Sequence, residues 1–101
     1  MAKKVTSSKM PQTQFINDAH VLGQLIKAKR TAMGMKLADC AALCNVGINT
    51  LSRIENGNDN CTLAATFAVL HGLGIKLTSP SLSPVPIEKQ IDSNVSNDEW
   101  V

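Results

Sequence analysis

Apolar residues recur at helical spacing in four separate stretches of this chain, and each stretch is bounded by residues suited to start or stop a helix. The first follows Asn17 and Asp18, either of which caps a helix by accepting a backbone N–H. Val21, Leu22, Leu25, Ile26 and Lys29 then fall on one side, and Gly34 stops the helix. Lys27, Lys29 and Arg30 load its last turns, where positive charge opposes the negative end of the macrodipole. The second stretch, Lys36 to Cys44, is short and Ala-rich, with Leu37, Cys40, Ala41 and Cys44 at i, i+3, i+4 and i+7. Asn45, Val46 and Gly47 break it, Asn45 being suited to the left-handed conformation that follows a helix end. A third helix is predicted from about Ile48 to Asn56, with Leu51 and Ile54 inward, before a loop of Gly57, Asn58, Asp59 and Asn60. Thr62 caps a fourth, in which Leu63, Phe67, Leu70 and Leu73 are expected to face inward and which ends near Gly72 or Gly74.

Beyond the helices the pattern changes period. Ile75, Lys76, Leu77 and Thr78 alternate apolar and polar, a strand signature too short to stand alone. No other strand pattern is present, so the expected partner is the same segment of a second copy, giving a two-fold dimer. From Ser79 onward Ser, Pro, Asn and acidic residues dominate, and Pro80, Pro84 and Pro86 prevent regular structure. The expected organisation is a basic N-terminal arm over 1–16, broken by Pro11 and docking locally through Phe15 and Ile16, a folded domain over 17–78 and a disordered acidic tail over 79–101.

Composition narrows the possibilities. At 101 residues and 44% hydrophobic, the chain has room for one small domain with a modest core. Phe15, Phe67 and Trp100 are its only aromatic residues, so it offers no platform for stacking single-stranded bases. The net charge of +2 conceals an asymmetry: residues 1–78 carry nine Lys/Arg against four acids, and residues 79–101 carry one against four. A basic body with an acidic tail suits a polyanion at one end and a different partner at the other. Cys40, Cys44 and Cys61 are odd in number and follow no secretory signal, which points to reduced thiols in a soluble cytoplasmic protein.

A helix, a short turn and a second helix define the helix-turn-helix unit, whose second helix lies in the major groove of DNA. Residues 36–57, and above all the run TLSRIENG from Thr50 to Gly57, resemble the Xre/Cro-type repressors of bacteria and phages. Within that group the chain is similar to the HipB-type antitoxins, through residues 59–63 leading into the fourth helix, residues 73–78 after it, and the closing Glu99, Trp100 and Val101. The resemblance implies an all-α, lambda-repressor-like helix-turn-helix bundle of four to five helices. It places Lys36 and Ala38 at the start of the second helix, and Gly47, Ile48, Asn49, Thr50, Ser52, Arg53 and Asn56 around the third, against DNA. The sequence departs from the family pattern at Leu37, where Gln usually grips a phosphate, and at Gly47 and Ile48, where polar residues usually open the third helix. Base reading is therefore expected from Asn49, Ser52 and Arg53, since Asn can pair bidentately with adenine and Arg with guanine, while Ile48 can touch a thymine methyl. Lys36, Thr50 and Asn56 are expected on phosphates, with Lys27 and Lys29 adding sequence-independent attraction.

The remaining chemistry-bearing residues have a plain and a specific reading. In the resembling family Arg30 and Glu55 form a structural ion pair; direct phosphate binding by Arg30 is the alternative. Cys40 and Cys44 are half of a metal site at best, and their apolar positions suit packing. His20 and His71 stand apart, and no set of residues for nucleophilic or acid–base catalysis is evident, so the chain is expected not to be an enzyme and to need no cofactor. Trp100, alone in the acidic tail, is either an idle terminus or a binding anchor, and the HipB-type resemblance implies that it docks on a kinase toxin. These expectations converge on a homodimeric DNA-binding repressor and antitoxin, partnered by operator DNA and a HipA-like serine/threonine kinase. A stand-alone regulator without a toxin, or an interaction adaptor that has lost DNA binding, are the alternatives.

Overall fold

The computed structural model of the chain describes residues 5–13 and 15–82. The expectations placed on Trp100 and on most of the acidic tail lie outside these residues. Four helices follow one another: α1 (Ala19–Ala32), α2 (Leu37–Cys44), α3 (Ile48–Glu55) and α4 (Leu63–Gly72).

Two helix starts are fixed by side chains. Asp18 Oδ1 accepts the Val21 N–H at 2.8 Å, so of the two possible caps of α1 it is Asp18 that serves. Thr62 Oγ1 likewise accepts the Ala65 N–H at 3.1 Å. All four helices end on one device, a left-handed residue at Gly34, Asn45, Gly57 or Gly74. At α1 the Gly34 N–H donates to the Thr31 carbonyl and the Met35 N–H to the Arg30 carbonyl, the paired bonds of a Schellman motif, and the same pairing recurs at the other three ends. Asn45 is the one non-glycine residue in this conformation among the described residues, at φ 58°, which its short polar side chain tolerates.

Ile26, Cys40, Ala41, Cys44, Leu51, Ile54, Val69, Leu70 and Leu73 form one buried cluster. α1 packs on α3, and α2 packs on both α3 and α4. Two glycines set how closely these helices approach. A Cβ on Gly23 would strike the carbonyl oxygens of Ile54 and Glu55, and one on Gly72 would strike the Cys44 sulfur. Backbone of α3 therefore lies directly on α1, a spacing that any larger residue at 23 would open.

The inward face of α4 differs from the expected one. Leu70 and Leu73 are buried, but Leu63 is 74% and Phe67 49% exposed, and Val69 is wholly buried in their place. The helix is apolar on every side, so its pattern offered two stripes of similar strength. Packing selected the stripe on which Gly72 meets Cys44, because small residues there allow α4 to come close to α2. Phe15 and Ile16 are 54% and 44% exposed and line a groove with Leu25 and Leu77, and the arm is also held further back, by the Ser8 N–H donating to Thr31 Oγ1 at 2.8 Å. Residues 75–78 form no strand within the single chain: Ile75 packs against the core, while Lys76, Leu77 and Thr78 are exposed.

Candidate nucleic-acid interface

α3 is amphipathic in the strict sense that its two faces share no residue. Leu51, Ile54 and Glu55 are buried, whereas Ile48, Asn49, Arg53 and Asn56 are exposed and Thr50 and Ser52 half-exposed. Asn49, Ser52, Arg53 and Asn56 stand at i, i+3, i+4 and i+7, so they form one outward stripe of hydrogen-bonding groups. The turn from α2 is the three residues Asn45, Val46 and Gly47, and the left-handed Asn45 redirects the chain within that length. Gly47 is the N-cap of α3 and supplies no side-chain cap, leaving the first-turn N–H groups of α3 open to an acceptor from outside. A Cβ at Gly47 would meet only Thr50 Oγ1 at 3.6 Å, so close packing does not demand glycine there.

At the start of α2, Lys36 and Ala38 are exposed, and Leu37 is half-buried against the core. That placement accounts for the apolar residue at 37: its side chain serves packing. Ile48, 46% exposed at the opening of α3, is an apolar contact surface beside the stripe.

Beneath the stripe Arg30 and Glu55 meet in a bidentate pair, Nε to Oε2 at 2.5 Å and Nη2 to Oε1 at 2.9 Å. The third nitrogen of Arg30, Nη1, donates to the Met35 carbonyl at 2.8 Å. Side-chain exposures of 10% and 5% make this a buried ion pair, which ties α1, the α1–α2 loop and α3 together. Hydrogen bonding to Glu55 raises the Arg30 guanidinium above its ordinary value, outweighing the opposing effect of burial. With its nitrogens committed to protein oxygens, Arg30 acts here as a brace beneath the outward stripe of α3.

The Cys40 and Cys44 sulfurs lie 3.9 Å apart on the inner face of α2, and Cys44 Sγ is 3.7 Å from the Val69 carbonyl oxygen. Burial pushes the Cys40 thiol up to about 12, with Cys44 adding to the shift, so the sulfur stays protonated at neutral pH. Among the described residues no group of three or more His, Cys, Asp or Glu is placed to hold a metal ion. Nor is any described helix long and apolar enough to cross a membrane.

Three elements of this surface escaped the sequence pattern: the Met35 carbonyl, the close approach at Gly23, and the arm held by Thr31. A glycine inside a helical pattern was the one legible sign of the second. Thr31 gave a weaker sign, as a hydroxyl in the last turn of α1; it bonds back to the Lys27 carbonyl at 2.8 Å.

Bundle, turn and outward polar stripe together define a helix-turn-helix protein. Residues 26–79 match the helix-turn-helix family model HTH_3, more than half of the chain, and the chain belongs to that family. Among solved structures it is similar to a complex of HipB with an O4 20mer, at 27% identity and a TM-score of 0.62, covering 70% of this chain and 100% of that one. A complex of a HipB serine-to-alanine variant with an O2 20mer is matched at 28% identity, TM-score 0.62, over 71% of this chain and 100% of that one. A structure described as MDT protein gives 27% identity and a TM-score of 0.62 over 70% and 100% of the two chains. No curated protein sequence matches the chain.

Proposed function

We propose that the chain is a homodimeric, operator-binding repressor of the HipB antitoxin type, which also holds a HipA-like serine/threonine kinase toxin and represses its own operon. The stripe of Asn49, Ser52, Arg53 and Asn56 on a helix braced from behind carries the DNA reading, and the likeness to HipB complexes supports the antitoxin reading. Asn49 and Arg53 take the base edges, where each bidentate contact contributes roughly 1–3 kcal/mol of discrimination. Lys36, Thr50 and Asn56 take phosphates, and Ile48 fills against a thymine methyl. Residues 75–78 pair across the dimer axis, so that two α3 helices address half-sites about 34–36 Å apart or a multiple of that distance. Trp100 anchors the acidic tail to the kinase, and the protein works in the cytoplasm on chromosomal DNA.

A gel-shift titration on the DNA upstream of the protein's own gene tests the first half of this reading. Specific shifts that weaken steeply with salt are expected, and no specific shift at low salt refutes it. Co-purification with the product of an adjacent kinase-like gene tests the second half. Deletion of residues 95–101 should release that partner and leave the gel shift intact; retention of the partner would refute the tail anchor, and no kinase co-purifying with the full chain would return it to the class of stand-alone regulators.

A further inference from the structure

The N-terminal arm lies outside the matched residues 26–79, and neither the bundle nor the α3 stripe accounts for its position. Its anchor is the Ser8 N–H bonded to the Thr31 hydroxyl at 2.8 Å, and Val5, Ser8 and Pro11 are half-buried. Lys9, the residue next to the anchor, is exposed. It borders a groove of about 360 Å³, together with His20, Gln24 and Lys27 of α1, Glu55 of α3 and Asn56, which follows α3 as its C-cap.

The donors around this groove suit an anion with several oxygens. Lys9 and Lys27 bring ammonium donors, and Gln24, Asn56 and His20 add further N–H donors. Glu55 adds little repulsion, because both its oxygens are engaged by Arg30. Position identifies the anion. Asn56 ends the outward stripe of α3, and α3, at eight residues, is about 12 Å long, close to the width of the major groove. A recognition helix with its outward face on base edges thus brings its last turn to the sugar–phosphate wall.

We propose that this groove takes a backbone phosphate of duplex DNA, and that Lys9 is a phosphate contact contributed by the arm and positioned by the Ser8–Thr31 bond. The inference rests on the DNA-binding reading but not on any particular operator, because phosphate contacts are independent of sequence.

The test is binding of the full chain to an arbitrary 30-base-pair duplex, followed by fluorescence anisotropy between 50 and 200 mM salt. Lys9→Ala should reduce the log–log salt slope by about 0.9 per protomer, so that the advantage of the wild type shrinks about 3.5-fold per arm over this range. Lys9→Arg should keep the slope. Thr31→Val, which removes the anchoring acceptor at nearly constant volume, should lower the slope when Lys9 is present and leave it unchanged in the Lys9→Ala background. Equal slopes for wild type and Lys9→Ala overturn the proposal while leaving the DNA reading standing; a wild type that binds no duplex at low salt overturns both. If inorganic phosphate raises the melting temperature of the wild type but not of Lys9→Ala, while the duplex slopes coincide, the groove takes a free anion and the duplex assignment falls.

Discussion

Replacing Glu55 by Gln should destabilise the fold far more than loss of a surface charge does. The Arg30 guanidinium donates two bonds to the Glu55 carboxylate, at 2.5 and 2.9 Å, and the two side chains are 10% and 5% exposed. Gln preserves the volume and one acceptor oxygen, but it turns an amide N–H towards an arginine N–H and leaves a buried cation without its counter-charge. Breaking a buried pair from one side costs roughly 3–5 kcal/mol, against about 0–1 kcal/mol for an exposed pair. The lower end, about 3 kcal/mol, reduces the folding constant more than roughly 100-fold and removes a large share of the 5–15 kcal/mol typical of a domain. Urea denaturation followed by circular dichroism measures this, with the protomer concentration held fixed, since any self-association would add to the stability of the folded state. The difference should persist in about 1 M salt, since buried charges are poorly screened. The double variant Arg30→Met with Glu55→Met should recover most of the loss. A Glu55→Gln loss under about 1 kcal/mol, or one that vanishes in high salt, would refute the brace.

Gly23→Ala should cost at least about 2 kcal/mol although alanine favours helices, because its Cβ would strike the Ile54 and Glu55 carbonyl oxygens; an unchanged urea midpoint would show that α1 and α3 separate freely. Arg53→Ala should weaken operator binding by roughly 1–3 kcal/mol and relax preference at one base pair, while Lys36→Ala should weaken specific and non-specific binding alike; selection from randomised duplexes distinguishes the two. Alkaline pH should destabilise the fold through Cys40, whose thiol is held at about 12 against an ordinary 9.0. Below pH 9 both states keep the proton and this contribution is intact; between 9 and 12 the unfolded thiol ionises first, so stability falls as pH rises. Denaturation midpoints across that window should drop more steeply for the wild type than for Cys40→Ala, and equal slopes would contradict the buried thiol.

Local chemistry was readable residue by residue. Capping by Asp18 and Thr62 and termination at Gly34, Asn45, Gly57 and Gly74 depend on neighbours within five positions, so the sequence alone located all four helices to within a residue or two. The outward stripe of α3 was equally legible, because Leu51 and Ile54 leave a single face for Asn49, Ser52, Arg53 and Asn56. The family likeness anticipated the partnership of Arg30 and Glu55, which spacing alone would not have joined across 25 positions.

Only tertiary packing decided the rest. α4 is apolar all round, and which stripe it buried was fixed by the fit of Gly72 against Cys44, a contact between residues 28 apart in sequence. Gly23 gave no sign of which backbone it would meet, and the arm gave no sign that Thr31 would hold Ser8. The physical reason is the same in each case. Caps and periodicity act along the chain, within reach of the next turn, whereas close approaches and the walls of a groove depend on how separate helices exclude one another's volume.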